Sequence, residues 1–223
     1  MSVHVRPARR HELPDVAELL AAALGFTPAD AVPAWLMRTT DDCGGLTLVA
    51  IAGDAVAGAL HSIPGADRQE RYLFTCGVAV VPEHRGAGVG RALMCEQRRR
   101  AAAAGCESLR WTAEPVNGRA LRLYLTGLGA RLVGFRAGLH DGLRADPGHP
   151  LDDVDIRWDL RTTADAANAH PSATVELPWS RPKPADRARV RAEMEAALAA
   201  GQVGTGVEVD HAARRCRVVF SHP

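Results

Sequence analysis

An apolar strand that leads through a glycine-rich turn directly into a helix is the feature that most constrains how this chain folds. Residues 72–81 are apolar on both faces, which is typical of a central strand covered on both sides. Glycines then alternate over residues 86–90, and residues 91–104 have helical periodicity with Gly105 behind them. A buried strand followed at once by a helix predicts an α/β architecture in which helices cover a sheet.

The composition excludes several classes of protein. Of 223 residues, 47% are hydrophobic and 24% charged, which argues against disorder, and the net charge of +1 gives no reason to expect nucleic-acid binding. No apolar run approaches the roughly 20 residues of a membrane span, and the N-terminus lacks the apolar segment of a signal peptide, so we expect a cytoplasmic protein without membrane contact. Five cysteines without C-x-x-C spacing indicate reduced thiols, and we expect no metal site.

Periodicity along the rest of the chain predicts strands interleaved with helices. Before the turn we expect a strand at 3–6, helices at 11–24 and 28–38, a hairpin of 46–52 with 55–63, and a polar, mobile loop at 64–71. Between the turn and residue 160 we expect a strand at 109–113, a helix at 117–128, and strands at 131–139 and 154–160. For the last part of the chain we expect a linker at 161–172, a strand at 175–177, a helix at 185–200, and a hairpin of 207–210 with 217–220.

The glycine-rich turn has the chemistry of an anion cradle. Glycine allows the backbone to approach a ligand closely, and the first N–H groups of a helix lack intrahelical partners. A P-loop is excluded because no lysine follows, and the dinucleotide fingerprint fails because Arg91 or Leu93 stands where its third glycine belongs. The pattern [RQ]-x-x-G-x-[GA] does fit, at Arg85, Gly88 and Gly90. An ordinary turn without a ligand is the alternative.

Two motifs resemble the GNAT superfamily of N-acetyltransferases. One is the Val-Pro-Glu-His-Arg-Gly-x-Gly-x-Gly segment around the turn, and the other is N-x-x-A-x-x-x-Y from Asn117 to Tyr124, with Gly129 behind it. The resemblance covers about residues 3–160 and implies a mixed, mostly antiparallel twisted sheet flanked by helices. It therefore favours a GNAT domain at 1–160 and a small α/β extension at 161–223.

The resemblance also implies where acetyl-coenzyme A, or another acyl-coenzyme A, would bind. In that family the strand before the turn pairs with the pantetheine arm, and the amides of the turn hold the pyrophosphate. Carried over to this sequence, the cofactor-binding residues are Val78, Val80, Arg85, Gly86, Ala87, Gly88, Val89, Gly90, Arg91 and Asn117. Asn117 has a second interpretation as the N-cap of its own helix.

Two residues are candidates for proton transfer. An alkylamine has a pKa near 10.4 and is mostly protonated at neutral pH, so it must lose a proton before it attacks a thioester. A carboxylate can accept that proton directly or through a water chain, and Glu114 follows the strand beside the expected thioester. Its alternative is a solvated carboxylate; His61, Glu83 and His84 are weaker candidates for the base. Tyr124 is the expected acid, because a phenol pKa of about 10 lies close to that of a thiol. Its alternative is packing alone.

The resemblance implies an N-acyltransferase that moves an acetyl or related acyl group to the amine of a small molecule by direct attack. Protein N-acetylation, amino-acid N-succinylation and a non-catalytic acyl-coenzyme A-binding regulatory module remain alternatives. The succinylation alternative comes from a narrower resemblance to a bacterial subgroup with a C-terminal extension that opens like Val175-Glu176-Leu177-Pro178. Two roles stay open for that extension, a cap on the acceptor pocket and formation of a homodimer.

Overall fold

The fold is known from a computed structural model that describes residues 3–27, 29–139, 152–161 and 171–223. These residues form two compact units, of which the first ends at Arg110 and the second begins at Trp111. The chain passes from one unit to the other within strand β5, Ser108–Ala113. The predicted mixed, mostly antiparallel sheet with flanking helices is confirmed, and the domain boundary at residue 160 stays a prediction.

The first unit is a sheet in the order β1-β2-β3-β4-β5, covered by helices. Its other strands are β1 His4–Pro7, β2 Leu46–Ala52, β3 Ala55–Ala66 and β4 Arg71–Val80. Its helices are α1 Leu13–Leu24, α2 Ala34–Asp42 and α3 Val89–Ala103. Neighbouring strands are antiparallel except β4 and β5, which run parallel. That parallel step requires a crossover connection, and α3 provides it.

Two predictions for the first unit were wrong in detail. The second helix begins at Ala34 and not near Pro28, which lies outside the described residues, because Pro33 is the extended N-cap. Its buried residue is Met37, whereas Trp35 is 69% exposed. The expected mobile loop at 64–71 is half strand, since β3 continues to Ala66 and β4 begins at Arg71, which leaves a turn at 67–70.

The second unit continues from β5 in the order β5-β7-β6-β9-β10-β8. Its strands are β6 Arg131–Arg136, β7 Asp153–Asp159, β8 Ala173–Leu177, β9 Val203–Asp210 and β10 Arg215–Ser221, and its helices are α4 Gly118–Leu121 and α5 Pro184–Ala199. The predicted C-terminal hairpin is confirmed, with Val207 opposite Val218. Residues 140–151, which connect the strands predicted at 131–139 and 154–160, and most of the linker expected at 161–172 lie outside the described residues.

The helix predicted at 117–128 is not a regular α-helix. It has one α-helical turn, α4, and then a π-helical segment at Arg122–Gly127. Thr126 in that segment accepts a hydrogen bond from the Val207 N–H at 2.9 Å and donates one to the Val207 carbonyl at 3.3 Å. Strand β9 therefore holds the π-helical segment by a pair of bonds that no local sequence pattern reveals.

None of the helices within the described ranges is long and apolar enough to cross a lipid bilayer.

Candidate active site

The glycine-rich turn joins β4 to α3 in the first unit. Gly86 and Gly88 both have φ of 84°, a left-handed conformation that residues with a side chain rarely adopt. Gly88 is the N-cap of α3, and a Cβ atom at this position would meet no other atom within 4 Å. The backbone on this side of the turn is thus open to close approach.

Five backbone N–H groups of the turn donate to no acceptor within the part of the chain that the structure describes. The amides of His84, Arg85 and Ala87 donate within the turn, and that of Ala92 donates to Gly88. The remaining N–H groups are those of Gly86, Gly88, Val89, Gly90 and Arg91. They lie at the N-terminal end of a 15-residue helix, where its dipole attracts negative charge. The arrangement suits a phosphate or pyrophosphate.

Arginine side chains lie on both sides of this turn. The Arg85 Nε donates to the Val80 carbonyl at 3.1 Å, which ties the turn to the end of β4. Arg91 is exposed on the first turn of α3, and Ala87 is exposed between the two glycines. Val89 is 2% exposed and anchors the start of the helix in the core. The residues predicted to hold the pyrophosphate therefore all lie in this turn and in the first turn of α3.

Strand β4 has an edge that β5 covers only in part. Pairing between β4 and β5 ends where Phe74 meets Arg110, and β4 continues to Val80. Opposite β3, the register shifts between His61 and Ser62, so that Cys76 is an extra residue in β4. Such a bulge bends a strand. Val78 and Val80, the predicted pantetheine contacts, lie beyond it and are half-buried.

The Cys76 thiol has no features of a nucleophile. Burial raises its pKa to about 11, so the thiol stays protonated at neutral pH. Such a buried, protonated thiol is chemically inert.

His61 is fully buried and enclosed by hydroxyl groups. Its Nδ1 lies 2.9 Å from the Thr47 Oγ1, which also donates to the Asp41 carboxylate at 3.0 Å, and its Nε2 lies 3.4 Å from the Thr40 Oγ1. Burial lowers the pKa of His61 to about 4. A histidine held neutral in the core is a structural residue, so its weaker candidacy for the base finds no support here. Of the other two candidates, Glu83 is exposed and His84 half-buried.

Folding stability should therefore depend on His61 at acidic pH. The unfolded chain takes up a proton at His61 below its ordinary pKa of about 6.5, while the folded protein does not until about pH 4. Stability should fall as pH drops through this window, by up to about 3 kcal/mol, and this loss should be smaller in His61→Gln. Urea unfolding between pH 8 and pH 4 measures it.

The control for this measurement is His4→Gln at the exposed start of β1. This variant should keep the pH dependence of the natural protein. The raised pKa of Asp41 acts in the opposite direction, because the folded protein takes up that proton more readily, and it is common to both variants. An unchanged slope in His61→Gln would contradict a neutral buried imidazole.

In the second unit, Glu114 follows β5 and forms an ion pair. The Glu114 Oε1 lies 2.7 Å from Nη1 of Arg187, a residue near the start of α5. The two side chains are 31% and 16% exposed, so the pair is mostly removed from water. Glu114 is thus not the freely solvated carboxylate of the alternative interpretation. Arg187 was not among the predicted site residues, because α5 carries several similar arginines.

Asn117 caps the helix that follows it. Its Oδ1 accepts a hydrogen bond from the Ala120 N–H at 3.1 Å, and its side chain is exposed. The N-cap interpretation is confirmed. The amide nitrogen of Asn117 remains a donor for a ligand, so the predicted cofactor contact is compatible with the cap.

Tyr124 lies in the π-helical segment, against the aromatic ring of Trp111. The ring centroids are 5.1 Å apart and the planes are inclined at 71°, an edge-to-face contact. Burial raises the pKa of Tyr124 to about 12, instead of the value near 10 that the sequence led us to expect. The Tyr124 hydroxyl makes no hydrogen bond to any described residue. It is therefore a phenol that stays protonated and keeps its O–H available.

Comparisons with known proteins agree on the family. The model of the Acetyltransferase (GNAT) family matches residues 13–130, whereas no curated protein matches the chain. Similar solved structures include an IAA acetyltransferase from Bacillus cereus, at 19% identity and a TM-score of 0.57, over 71% of this chain and 99% of that one.

Two further structures have the same fold. One is yncA from Salmonella typhimurium with its cofactor acetyl-CoA, at 19% identity and a TM-score of 0.60, over 74% of this chain and 98% of that one. The other is a ribosomal-protein-alanine N-acetyltransferase from Brucella melitensis, at 21% identity and a TM-score of 0.57, over 70% of this chain and 99% of that one. At these identities the structures show the fold alone, but the family model spans more than half of the chain. The chain therefore belongs to the GNAT acetyltransferase family.

Proposed function

We propose that this protein transfers an acetyl group from acetyl-coenzyme A to the amine of a small molecule by direct attack. The observation that carries the proposal is the set of five N–H groups around Gly88 that have no acceptor among the residues the structure describes. No described atom lies within 4 Å of a Cβ position at Gly88, so nothing there obstructs the approach of an anionic ligand. Acetyl-coenzyme A supplies an activated thioester, and its pyrophosphate is the anion that the turn would hold.

Several residues would hold the cofactor beyond the turn. The half-buried stretch of β4 past its bulge, with Val78 and Val80, would pair with the pantetheine amides. Arg91, exposed beside the unpartnered amides, would add positive charge near the phosphates. The side-chain nitrogen of Asn117 would donate a further hydrogen bond. These assignments extend the sequence predictions and are part of the proposal.

The chemistry assigned to Glu114 is removal of the amine proton. An ammonium ion has no lone pair, so it must give up a proton before the nitrogen attacks the thioester carbonyl, and a carboxylate can accept that proton directly or through a water. The carbon–nitrogen bond then forms, the carbon–sulfur bond breaks, and the thiolate leaves. Glu114 is suited to this role because it is mostly buried, so it would interact strongly with an ammonium ion placed beside it.

The chemistry assigned to Tyr124 is stabilisation of the leaving thiolate. A phenol with a pKa of about 12 is a weaker acid than an ordinary thiol, so full proton transfer from Tyr124 would be uphill. A hydrogen bond from its O–H to the developing thiolate does not have that cost. We therefore assign Tyr124 as a hydrogen-bond donor, and the proton that completes the thiol comes from solvent.

Cofactor binding at the turn is tested with Gly88→Glu. The new side chain would put a carboxylate and its carbon atoms where the pyrophosphate approaches, and acetyl-coenzyme A affinity should fall at least tenfold by isothermal titration calorimetry. Gly105→Glu is the matched control, since Gly105 follows the other end of α3, has φ of 77° and also has no atom within 4 Å of its Cβ position. Both changes cost a left-handed conformation, about 1 kcal/mol. Equal affinity in the two folded variants would overturn the proposed site.

A panel of amines tests transfer itself. Thiol release from acetyl-coenzyme A in the presence of an amine, but not in its absence, is the expected result. The same assay with succinyl-coenzyme A would show whether the protein transfers an acyl group larger than acetyl. Tight cofactor binding without thiol release on any small amine or peptide N-terminus would contradict the proposal and favour a binding module.

A further inference from the structure

The ion pair between Glu114 and Arg187 differs from the other ion pairs of α5. Arg191 approaches the buried Asp152 carboxylate at 3.7 Å, but its own side chain is 40% exposed. Arg189 pairs with Glu193, and Arg191 also with Glu195, one turn along the helix, with side chains at least 40% exposed. Such surface pairs contribute little to stability. The Arg187 side chain is 16% exposed and reaches the distant residue Glu114. An arginine that only kept the helix soluble would stay exposed, so solubility does not explain the contact between Arg187 and Glu114.

The position of Arg187 does not follow from helix stability either. It lies near the N-terminal end of α5, and its backbone N–H donates to the Lys183 carbonyl at 3.2 Å. A cation there is disfavoured by the helix dipole, whereas Asp186 beside it is favoured. The arginine therefore has a local cost that the contact with Glu114 must offset.

Arg187 is also incompletely satisfied. Its Nε is buried and donates to no acceptor among the residues described, although its Nη1 pairs with Glu114. A guanidinium group binds carboxylate or phosphate best through two parallel N–H groups. Arg187 thus has hydrogen-bonding capacity that Glu114 does not fill, and its side chain is still 16% exposed to a second anionic partner.

We propose that Glu114 and Arg187 together recognise an acceptor whose amine stands beside an anionic group. The inference rests on the proposed function, in which Glu114 faces the amine. The acceptor's ammonium would pair with Glu114 and its anion with Arg187. Amino acids, with a carboxylate, and aminoalkyl phosphates have this chemistry.

Charge balance favours such an acceptor over a simple amine. A bare ammonium ion added to the existing pair leaves two cations around one carboxylate, and like charges close together in a half-buried site repel. A zwitterion adds one charge of each sign, so the group stays neutral and each charge has an opposite partner. The N-terminus of a peptide with a neutral first residue is disfavoured in the same way, because it has no anion beside the amine.

The reaction balances with these groups. Glu114 accepts one proton from the ammonium ion, the nitrogen lone pair forms the bond to the acyl carbon, and the electrons of the carbon–sulfur bond leave with the thiolate. The second proton lost by nitrogen and the one on Glu114 both pass to solvent, the thiolate takes one proton back from solvent, and one proton is released overall. Arg187 stays charged throughout and holds the acceptor's anion.

Matched acceptors and matched variants test the proposal in the full chain. The acceptors are the standard L-amino acids with their primary amides, and O-phosphoethanolamine with ethanolamine, assayed by thiol release from acetyl-coenzyme A. At least one anionic acceptor should exceed its neutral counterpart tenfold or more in kcat/KM; the two series show whether carboxylate or phosphate is the anion. Arg187→Met should abolish that preference, and Arg187→Lys should restore part of it.

The control is Arg189→Met, which removes an exposed arginine of the same helix and should keep the preference. Neutral acceptors used as well as anionic ones, or an equal loss on both series in Arg187→Met, would overturn the proposal while leaving acetyl transfer intact. If no acceptor leads to thiol release, the proposed function fails, and the inference about Glu114 and Arg187 is then tested by binding alone. The anionic acceptors should then raise the Tm of the natural protein with coenzyme A bound but not that of Arg187→Met; no such difference overturns the inference.

Discussion

Replacing Glu114 by glutamine should lower turnover by roughly 10²–10⁴-fold, the usual contribution of a positioned general base. The amide has the shape of the carboxylate but cannot accept the proton of an ammonium ion. Acetyl-coenzyme A affinity should stay within a few-fold, because the turn around Gly88 is unchanged. Steady-state thiol release and isothermal titration calorimetry measure the two quantities on the same preparation.

Glu114→Gln also weakens the ion pair, so its effect must be separated from that of the pair. Arg187→Met breaks the same pair from the other side and keeps the carboxylate. If Glu114 is the base, glutamine should cost much more turnover than Arg187→Met on neutral acceptors. Equal losses of turnover in the two variants would make the pair a structural contact. If Glu114→Gln lowers turnover by less than a few-fold, Glu83 becomes the next candidate for the base, since His61 is enclosed in the core.

Replacing Tyr124 by phenylalanine should lower turnover by roughly 10–10³-fold, because the leaving thiolate loses its hydrogen-bond donor. The ring and its edge-to-face contact with Trp111 remain, so the Tm should change little. Acetyl-coenzyme A affinity should also change little, because the thioester ground state gains little from the hydroxyl. Rates, Tm and affinity together distinguish this outcome from a packing defect.

The pH dependence of the loss of turnover in Tyr124→Phe is a sharper test. Since burial raises the pKa of Tyr124 to about 12, the phenol stays protonated up to at least pH 10. The ratio of natural to variant turnover should therefore be constant between pH 7 and pH 10. A ratio that falls as pH rises in this range would mean that the phenol titrates there and transfers its proton fully. Unchanged turnover would make Tyr124 a packing residue.

The elements that the sequence predicted well are those with strong local signals. Gly53-Asp54 lies between two apolar runs, and the hairpin of β2 and β3 follows from it. The glycine-rich turn was equally readable, because alternate glycines just before a helix indicate a backbone that needs left-handed φ, as Gly86 and Gly88 have. Leu93 and Met94 are buried as the helical periodicity of α3 predicts.

The features that escaped prediction depend on contacts between distant segments. Residues 117–128 contain ordinary helix formers, and the π-helical segment is seen only where Thr126 bonds to Val207 of β9. Arg187 looks like its neighbours in α5 until Glu114 lies beside it. Periodicity describes which face of an element is apolar, but it does not say which distant residue meets that face.

The antiparallel pairing of β9 with β6 has a consequence for any shortened version of this chain. Leu132 in β6 is fully buried opposite Gly204, where a Cβ atom would lie 2.8 Å from the Leu132 Cβ. Without the C-terminal strands, β6 would present an apolar, hydrogen-bonding edge to other molecules, a well-known start of edge-to-edge aggregation. A truncated chain would therefore be expected to fail first by self-association, before any change in its chemistry could be measured.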